Sequence, residues 1–550
     1  MRAVVEIAST EGTETSVAGW PRQATGEARK SAGQLTFRRM GNMMKQSEER
    51  AESSRRAAPI DMSAEEFRAA GHRLVDQIAE FLESIPKRPL TPNEPPQVVR
   101  AALGECSLPK QGAPAAQVLD QAATLLFEHS LLSAHPRYWG YIYSSAAPIG
   151  ALADFLAAAV NPNVGAWNLS PIASEIEAQT VRWMAELIGY PADCGGLLVS
   201  GGNMANFVPF LVARKVKTDW NASAEGLRAP AGRPLRVYCS AETHTWIHKA
   251  TDLFGLGTES IRWIGTDAEL RMDTAELRRR IREDKERGDL PFLVVGAAGS
   301  VSTGAIDPLP ELAAIAREEG LWFHVDGAYG AIAAALPDAS ADLRGLSLAD
   351  SVAVDPHKWL YAPVEAGCAL VRNRCDLIRT FSHRPPYYHF PEHEGAVNYF
   401  EHGLQNSRGF RALKVWLTLR QAGREGYARM VADDIRLSEA LFEIAQEHPE
   451  LETCTQSLSI TTFRYVPHGL KPGTEQVETY LNRLNEALLT RLQGSGETFV
   501  TNAVIRGKFV LRACFVNFKS TLADVAALPG IVTRIGAEVD AALRPKELQD

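Results

Sequence analysis

Hydrophobic positions along this chain change period three times, and each change marks a different kind of structure. From Ser63 the period is helical: SAEE is a capping-box signature, and Phe67, Leu74, Ile78, Phe81 and Leu82 recur on one face. The proline-rich run RPLTPNEPP ends that pattern. Between Gly150 and about Arg372, short apolar runs (GGLLVS, LRVYCS, IRWIG, FLVVGAA, LWFHVD, SVAVD, GCALVRN) alternate with amphipathic stretches such as SEIEAQTVRWMAELIG, NMANFVPFLVARKVK and LPELAAIAREEG. Such alternation predicts an α/β fold with a mostly parallel sheet and helices on both faces. A long helix around Phe410 to Arg420 follows. The tail, with separated strands in SITTFRYVP and KFVLRACFVNF and helices between and after them, predicts a smaller α+β domain.

The first 59 residues fit none of these patterns. They are rich in Ser, Arg, Glu, Gly and Ala without a sustained apolar period, and are expected to be a disordered or misassigned extension, with Met40, Met43, Met44 or Met62 as alternative starts. The expected layout is therefore an extension over 1–59, a helical segment over 60–147, a large domain over 148–420 and a small one over 421–550.

Composition narrows the function. A chain of 550 residues with 45% hydrophobic and 23% charged side chains is a globular protein of two or three domains. A net charge of −8, dispersed along the chain, argues against a nucleic-acid partner. Seven cysteines form no CxxC pair and no ligand cluster, so no metal is expected, and they point to a reducing, cytoplasmic setting. No segment reaches the roughly 18–20 apolar residues of a membrane span.

Two strand ends carry the chemistry. Trp322, Phe323 and Val325 lead into Asp326, and Val352, Ala353 and Val354 lead into Asp355, Pro356, His357 and Lys358. Charge at the end of a buried strand needs a partner. A strand-end aspartate is often only a helix cap, and a lysine after a strand is usually solvated. Pyridoxal 5'-phosphate satisfies both at once: its aldehyde takes the Lys358 amine, and its ring nitrogen takes the Asp326 carboxylate. His357, Trp359 and the small Gly327–Ala328 pair, which leaves room for a flat ring, favour this joint reading.

Further motifs supply the rest of such a site. In LLVSGGNMANFVPF the amides of Gly202 and Asn203 open a helix where a phosphate is favoured, although a Gly-Gly turn alone is a weak signal. His244, after a strand on the same sheet edge, can stack on the ring; His248 is read as solvent-side. Ser300, Ser302 and Thr303 are candidates to bond the cofactor's phenolic oxygen. The aromatic, aperiodic stretch FSHRPPYYHFPEHEGAVNYF reads as an active-site lid whose tyrosine could donate a proton.

With HPRYWGY, NLSPIASEIE, SGGNMAN, HVDGAYG, DPHKWL and SRGFRALKVWLTLR in this order, the chain resembles the pyridoxal-phosphate-dependent group II decarboxylases, the aromatic-L-amino-acid decarboxylase group, from about Ser63 to Val539. The resemblance implies fold type I, an N-terminal segment packed on a partner subunit, and a homodimer. It further implies that Lys358 bonds the cofactor, that Asp326 pairs with the ring nitrogen, that Gly202 and Asn203 hold the phosphate, and that His244 stacks on the ring. His357 would support lysine and substrate, Ala328 and Ser302 would line the cofactor, and Tyr387 would protonate the α-carbon after carbon dioxide leaves, with Tyr388 as the fallback. Two departures stand out: Val301 replaces a common threonine, and small or polar residues around Asn163 and Gly165 replace bulky apolar ones. Ser407 stands where related plant enzymes sort phenolic from indolic rings, and leans to phenolic. The expected reaction is decarboxylation of an L-amino acid, aromatic by default, to its amine. The alternatives are an aldehyde synthase, which Tyr387 and His244 count against, and a non-catalytic cofactor-binding protein, which Lys358 and Asp326 count against.

Overall fold

The computed structural model describes residues 58–104, 107–143, 145–218, 220–227, 233–388 and 393–548. The expectation for 1–59 thus lies outside the described residues except at its last two positions. The chain divides into two compact units, one holding residues 58–73 and 108–116 and the other 74–107 and 117–548. In the first, the expected capping box is present: the Glu66 amide donates to Ser63 Oγ at 3.2 Å and the Ser63 amide to Glu66 Oε2 at 2.8 Å, opening helix α1, Ala64–Ser84.

In the second unit all seven apolar runs form one sheet. Its strands are β1 (Gly195–Val199), β2 (Leu235–Ser240), β3 (Ile261–Ile264), β4 (Leu290–Ala297), β5 (Trp322–Asp326), β6 (Ser351–Val354) and β7 (Gly367–Val371), in the order β1-β7-β6-β5-β4-β2-β3. Pairings from β6 through β5, β4, β2 to β3 are parallel, whereas β7 is antiparallel to both of its neighbours. Two reversals restore the direction, so β1 points the same way as β6.

Helices α2 (Pro148–Val160), α3 (Pro171–Leu187), α4 (Gly202–Lys217), α5 (Trp246–Leu253) and α6 (Leu309–Glu319) belong to this part of the chain. Successive strand residues enter different cores, as the two-residue period of a strand requires. Leu198, Val294, Phe323 and Val325 pack with Met184 of α3 and Leu312 of α6. Leu197, Val199 and Val295 pack with Phe210 of α4 and Trp246 of α5 on the other face.

The outer edge of β1 is closed by an ion pair rather than by another strand. Glu177 Oε1 accepts the Leu198 amide at 2.9 Å, Arg408 Nη2 donates to the Leu198 carbonyl at 2.5 Å, and the two side chains pair with each other at 2.5 Å. Both are essentially inaccessible to solvent. The SEIE and SRGF motifs therefore meet here, as the lock on an edge strand.

Helix α7 runs Ala412–Glu447, far past the expected Arg420, and is interrupted at Gly423, whose φ of 65° only a residue without Cβ adopts readily. A second sheet follows, with β8 (Leu451–Ser457), β9 (Ile460–Tyr465), β10 (Thr501–Ile505) and β11 (Lys508–Cys514) in the antiparallel order β10-β11-β9-β8. Helices α8 (Glu475–Gly494) and α9 (Leu522–Leu543) share its core through Leu484, Leu488, Leu528 and Val532. The apolar pattern predicts β9 and β11 but not β8 and β10. LETCTQS is a half-buried edge strand, and TNAVI buries only alternate residues, so neither shows an apolar run.

Candidate active site

Five strands deliver their C-terminal ends to one edge of the large sheet. The register pairs Ala297 with Asp326 and Asp326 with Ala353, so the ends of β4, β5 and β6 lie level. At this edge a cavity of about 120 Å³ is bounded by Gly202 and Asn203 beyond β1, Glu242 and His244 beyond β2, Ser300 and Val301 beyond β4, Asp326 and Ala328 at β5, and Asp355 and Lys358 beyond β6. Ligands of open α/β sheets sit at such an edge.

Asp326 is held at its floor. Its Oδ2 accepts the Trp246 indole N–H at 2.7 Å and its Oδ1 the Ala328 amide at 3.2 Å. Two residues earlier on β5, His324 is fully buried between Asn206 and Ser351, with its ring nitrogens 2.7 and 2.9 Å from their side-chain oxygens. Because the Asn206 amide group donates to Gly202 O at 2.9 Å, its oxygen faces His324, whose Nε2 must carry the proton. Burial pushes this imidazole down to about 4, so it stays neutral beneath the carboxylate.

Helix α4 begins at Gly202, preceded by Gly201 at φ 106°. A side chain at 202 would collide with Asp355: its Cβ would lie 2.5 Å from Oδ2. His244 stands at the mouth of the cavity, where its Nδ1 accepts the Trp246 amide at 3.3 Å. Desolvation holds its imidazole below the ordinary range, opposed by the Asp326 carboxylate. Lys358 Nζ lies 3.1 Å from Asp355 Oδ2.

The structure thus brings Gly202, Asn203, His244, Asp326, Ala328 and Lys358 together. Other expected residues lie apart from that cavity wall. His357 turns its Nδ1 to the Ala366 carbonyl at 2.7 Å, with Nε2 4.0 Å from Asp355 Oδ2. Ser300 and Val301 line the wall while Ser302 does not, and the Ser300 hydroxyl is shared with Thr303 at 2.9 Å. Tyr387 and Tyr388 line a different cavity of about 990 Å³ with His383, Arg384 and Phe400, and Tyr387 is 78% exposed. Ser407 is exposed, and His248 packs on Trp263 outside the site. Two contributors were missed. Asp355 directly follows β6 as Asp326 closes β5, so the same rule would have found it, whereas nothing in the sequence links Trp246 to Asp326.

The donors present fit pyridoxal 5'-phosphate. An amine, a carboxylate steadied by two N–H donors, and a helix start opened by two glycines converge on one cavity, and the buried Asp355 Oδ1 beside them has no hydrogen-bond partner. Fold and site together define a pyridoxal-phosphate-dependent enzyme built on a mostly parallel α/β sheet.

The chain belongs to the pyridoxal-dependent decarboxylases, whose conserved domain matches residues 96–466, and it is an amino-acid decarboxylase of that family. It is 32% identical over 483 residues to an aromatic-L-amino-acid decarboxylase of Bacillus atrophaeus, covering 87% of this chain and 97% of that protein. It is 29% identical over 462 residues to a phenylacetaldehyde synthase of Petunia hybrida, covering 82% and 90%. The crystal structure of Oryza sativa TDC with PLP and tryptamine superposes with a TM-score of 0.80 at 25% identity, covering 88% of this chain and 99% of that one.

Proposed function

We propose that the protein removes the α-carboxylate of an aromatic L-amino acid and releases the amine. The likeness to the Bacillus atrophaeus enzyme along almost its whole length carries the substrate class. Bound pyridoxal phosphate supplies an electron sink for the bond that breaks. In this reading the first-turn amides of Gly202 and Asn203 and the dipole of α4 hold the phosphate. Asp326, fixed by Trp246 and Ala328, keeps a proton on the ring nitrogen, and Lys358 bonds the aldehyde. His244, neutral at the mouth, covers the ring, while His357 braces the Lys358 turn against Ala366. Ala328 borders the cofactor, and Tyr387 gives its phenolic proton to the α-carbon after carbon dioxide leaves.

The working unit in this proposal is a cytoplasmic homodimer, with the chain divided near residues 147 and 420. Val75, Ile78 and Leu82 of α1 and Leu152, Phe155, Leu156 and Val160 of α2 are exposed, apolar side chains that a partner subunit would cover. Tyr387 lines a cavity separate from that of Lys358, and a second copy offers the route by which it reaches the reacting carbon. The six described cysteines are free, in keeping with a reducing compartment.

The test is a product screen of the protein, supplied with pyridoxal phosphate, against the amino acids, measuring amine, aldehyde, carbon dioxide and ammonia. Amine from an aromatic substrate in step with carbon dioxide is expected, and borohydride should fix the cofactor to the Lys358 peptide in wild type but not in Lys358→Ala. Aldehyde and ammonia in equal measure would instead establish the synthase reading, which the petunia relative motivates.

A further inference from the structure

Asp355 is a second carboxylate in the cavity, and no step described so far uses it. Its side chain is 1% exposed, Oδ2 lies 3.1 Å from Lys358 Nζ, and the enclosed Oδ1 meets no hydrogen-bond donor. An aspartate at a tight turn after a strand ordinarily caps it by accepting backbone N–H groups. Here the turn closes without the side chain: the Lys358 amide donates to the Asp355 carbonyl at 2.9 Å, and the Asp355 amide donates to Ala328 O at 3.1 Å. The carboxylate faces the lysine at 3.1 Å, with His357 Nε2 farther off, 4.0 Å from the same oxygen.

Its position is enforced from the opposite wall. It lies against Gly202, where a Cβ would come within 2.5 Å of Oδ2, at the first turn of α4, whose partial positive charge favours an ionised carboxylate. Other titratable groups line or border the same space. Asp326 is engaged by Trp246 and Ala328, the Tyr329 hydroxyl is 2.6 Å from Ser459 Oγ, and His357 turns Nδ1 to Ala366 O. Glu242 and His244 stand on the wall beyond β2, and Cys514 is within electrostatic reach of the lysine. Asp355 is the group that forms the ion pair with Lys358.

We propose that Asp355 is the positioning counter-charge of Lys358: whenever the lysine amine is not bonded to the cofactor, it rests as an ammonium on Asp355 Oδ2. This rests on the reading of Lys358 as the cofactor-bonding lysine. An amino-acid substrate arrives as an ammonium, gives up a proton to become the attacking amine, and displaces the lysine. The displaced lysine takes on a proton in turn, so one positive charge stays in the cavity throughout the exchange. Asp355 is its fixed anion, holding the lysine within reach for its return at the end of the cycle.

The experiment uses the cofactor-free full chain as wild type and Asp355→Asn. Each is labelled briefly with fluorodinitrobenzene across a pH series, and the modified Lys358 peptide is quantified by mass spectrometry, with the remaining lysine peptides as internal controls. Loss of the carboxylate should move the pH midpoint of Lys358 labelling down by about one pH unit, which is about tenfold faster labelling below the midpoint. A merely structural role would change access at every pH and leave the midpoint in place, and that result overturns the proposal. If Asp355→Asn does not fold, Gly202→Ala decides by the same readout, because its Cβ displaces the carboxylate and should shift the midpoint in the same direction. Borohydride fixing the cofactor to another lysine in the reconstituted wild type would overturn the reading of Lys358 instead, so the two failures are separable.

Discussion

The indole of Trp246 and the carboxylate of Asp326, 80 residues apart in the chain, meet in a 2.7 Å hydrogen bond that fixes the carboxylate facing the cavity at the sheet edge. Trp246 is wholly buried on α5 between the Phe210 and His324 rings, so the N–H cannot swing away. Trp246→Phe keeps most of the packing and removes the donor. A hydrogen bond to a charged group is worth about 1.5–3 kcal/mol, so cofactor affinity should fall roughly ten- to hundredfold, measured by titrating the cofactor-free protein with pyridoxal phosphate. Unaltered affinity would mean that the Ala328 amide alone holds Asp326.

Tyr387 is predicted to choose between products. Tyr387→Phe removes the proposed proton donor while leaving Lys358 and Asp326 in place, so carbon dioxide should still be released while the carbanion waits for a proton and oxygen competes for its electrons. Amine formation should fall about 10²–10⁴-fold, with aldehyde, ammonia and peroxide rising per carbon dioxide evolved. Wild-type amine turnover in the variant would pass the role to Tyr388, 5.1 Å away ring to ring.

Asp434 on α7 accepts the Trp359 indole N–H at 2.8 Å and the Tyr361 hydroxyl at 2.5 Å, bracing the residues just after Lys358. Burial pushes its carboxyl up to about 7, against the pull of those two donors. A folded state that binds the proton more tightly than the unfolded chain gains stability below the ordinary carboxylate range and loses it as pH rises toward 7. The rise from 3.8 to about 7 sets an upper bound of roughly 4 kcal/mol. Asp434→Asn keeps an acceptor without the titration. Its thermal midpoint should therefore fall less than wild type's between about pH 5 and pH 8; parallel curves would show that Asp434 is ionised throughout.

The Glu177–Arg408 pair tests the lock on β1. Breaking a buried pair by removing one charge typically costs about 3–5 kcal/mol, because the other is left without a partner. Glu177→Gln, which strands Arg408 beside the Leu198 carbonyl, should lower the thermal midpoint by several degrees, with a smaller loss in the double variant Glu177→Gln/Arg408→Met. Equal losses would show that the backbone contacts, not the charges, secure the edge.

Asp326 and Lys358 were legible because charge placed directly after a buried apolar strand has no solvent to excuse it. Gly202 was legible as a helix opening, yet the stronger reason for its glycine, the Asp355 carboxylate, comes from another strand and leaves no local mark. Asp355 obeys the same rule as Asp326, but its place inside the lysine's motif masks it. The large sheet's strands announce themselves because, apart from the edge strand β3 with its exposed Trp263, both of their faces are largely buried. Strands β8 and β10 did not, because one face is enough for them and their polar residues point away from the core. The separation of Tyr387 from the Lys358 cavity lay beyond sequence reasoning, since a lid's composition says that it closes over something, not over what.

The contact between Gly202 and Asp355 ties the histories of two distant codons together. A methyl group at 202 forces the Asp355 carboxylate to move, so the carboxylate keeps its place beside Lys358 only opposite a hydrogen atom. The restriction runs one way: position 355 accepts a smaller side chain opposite Gly202, whereas 202 accepts nothing larger without moving Asp355.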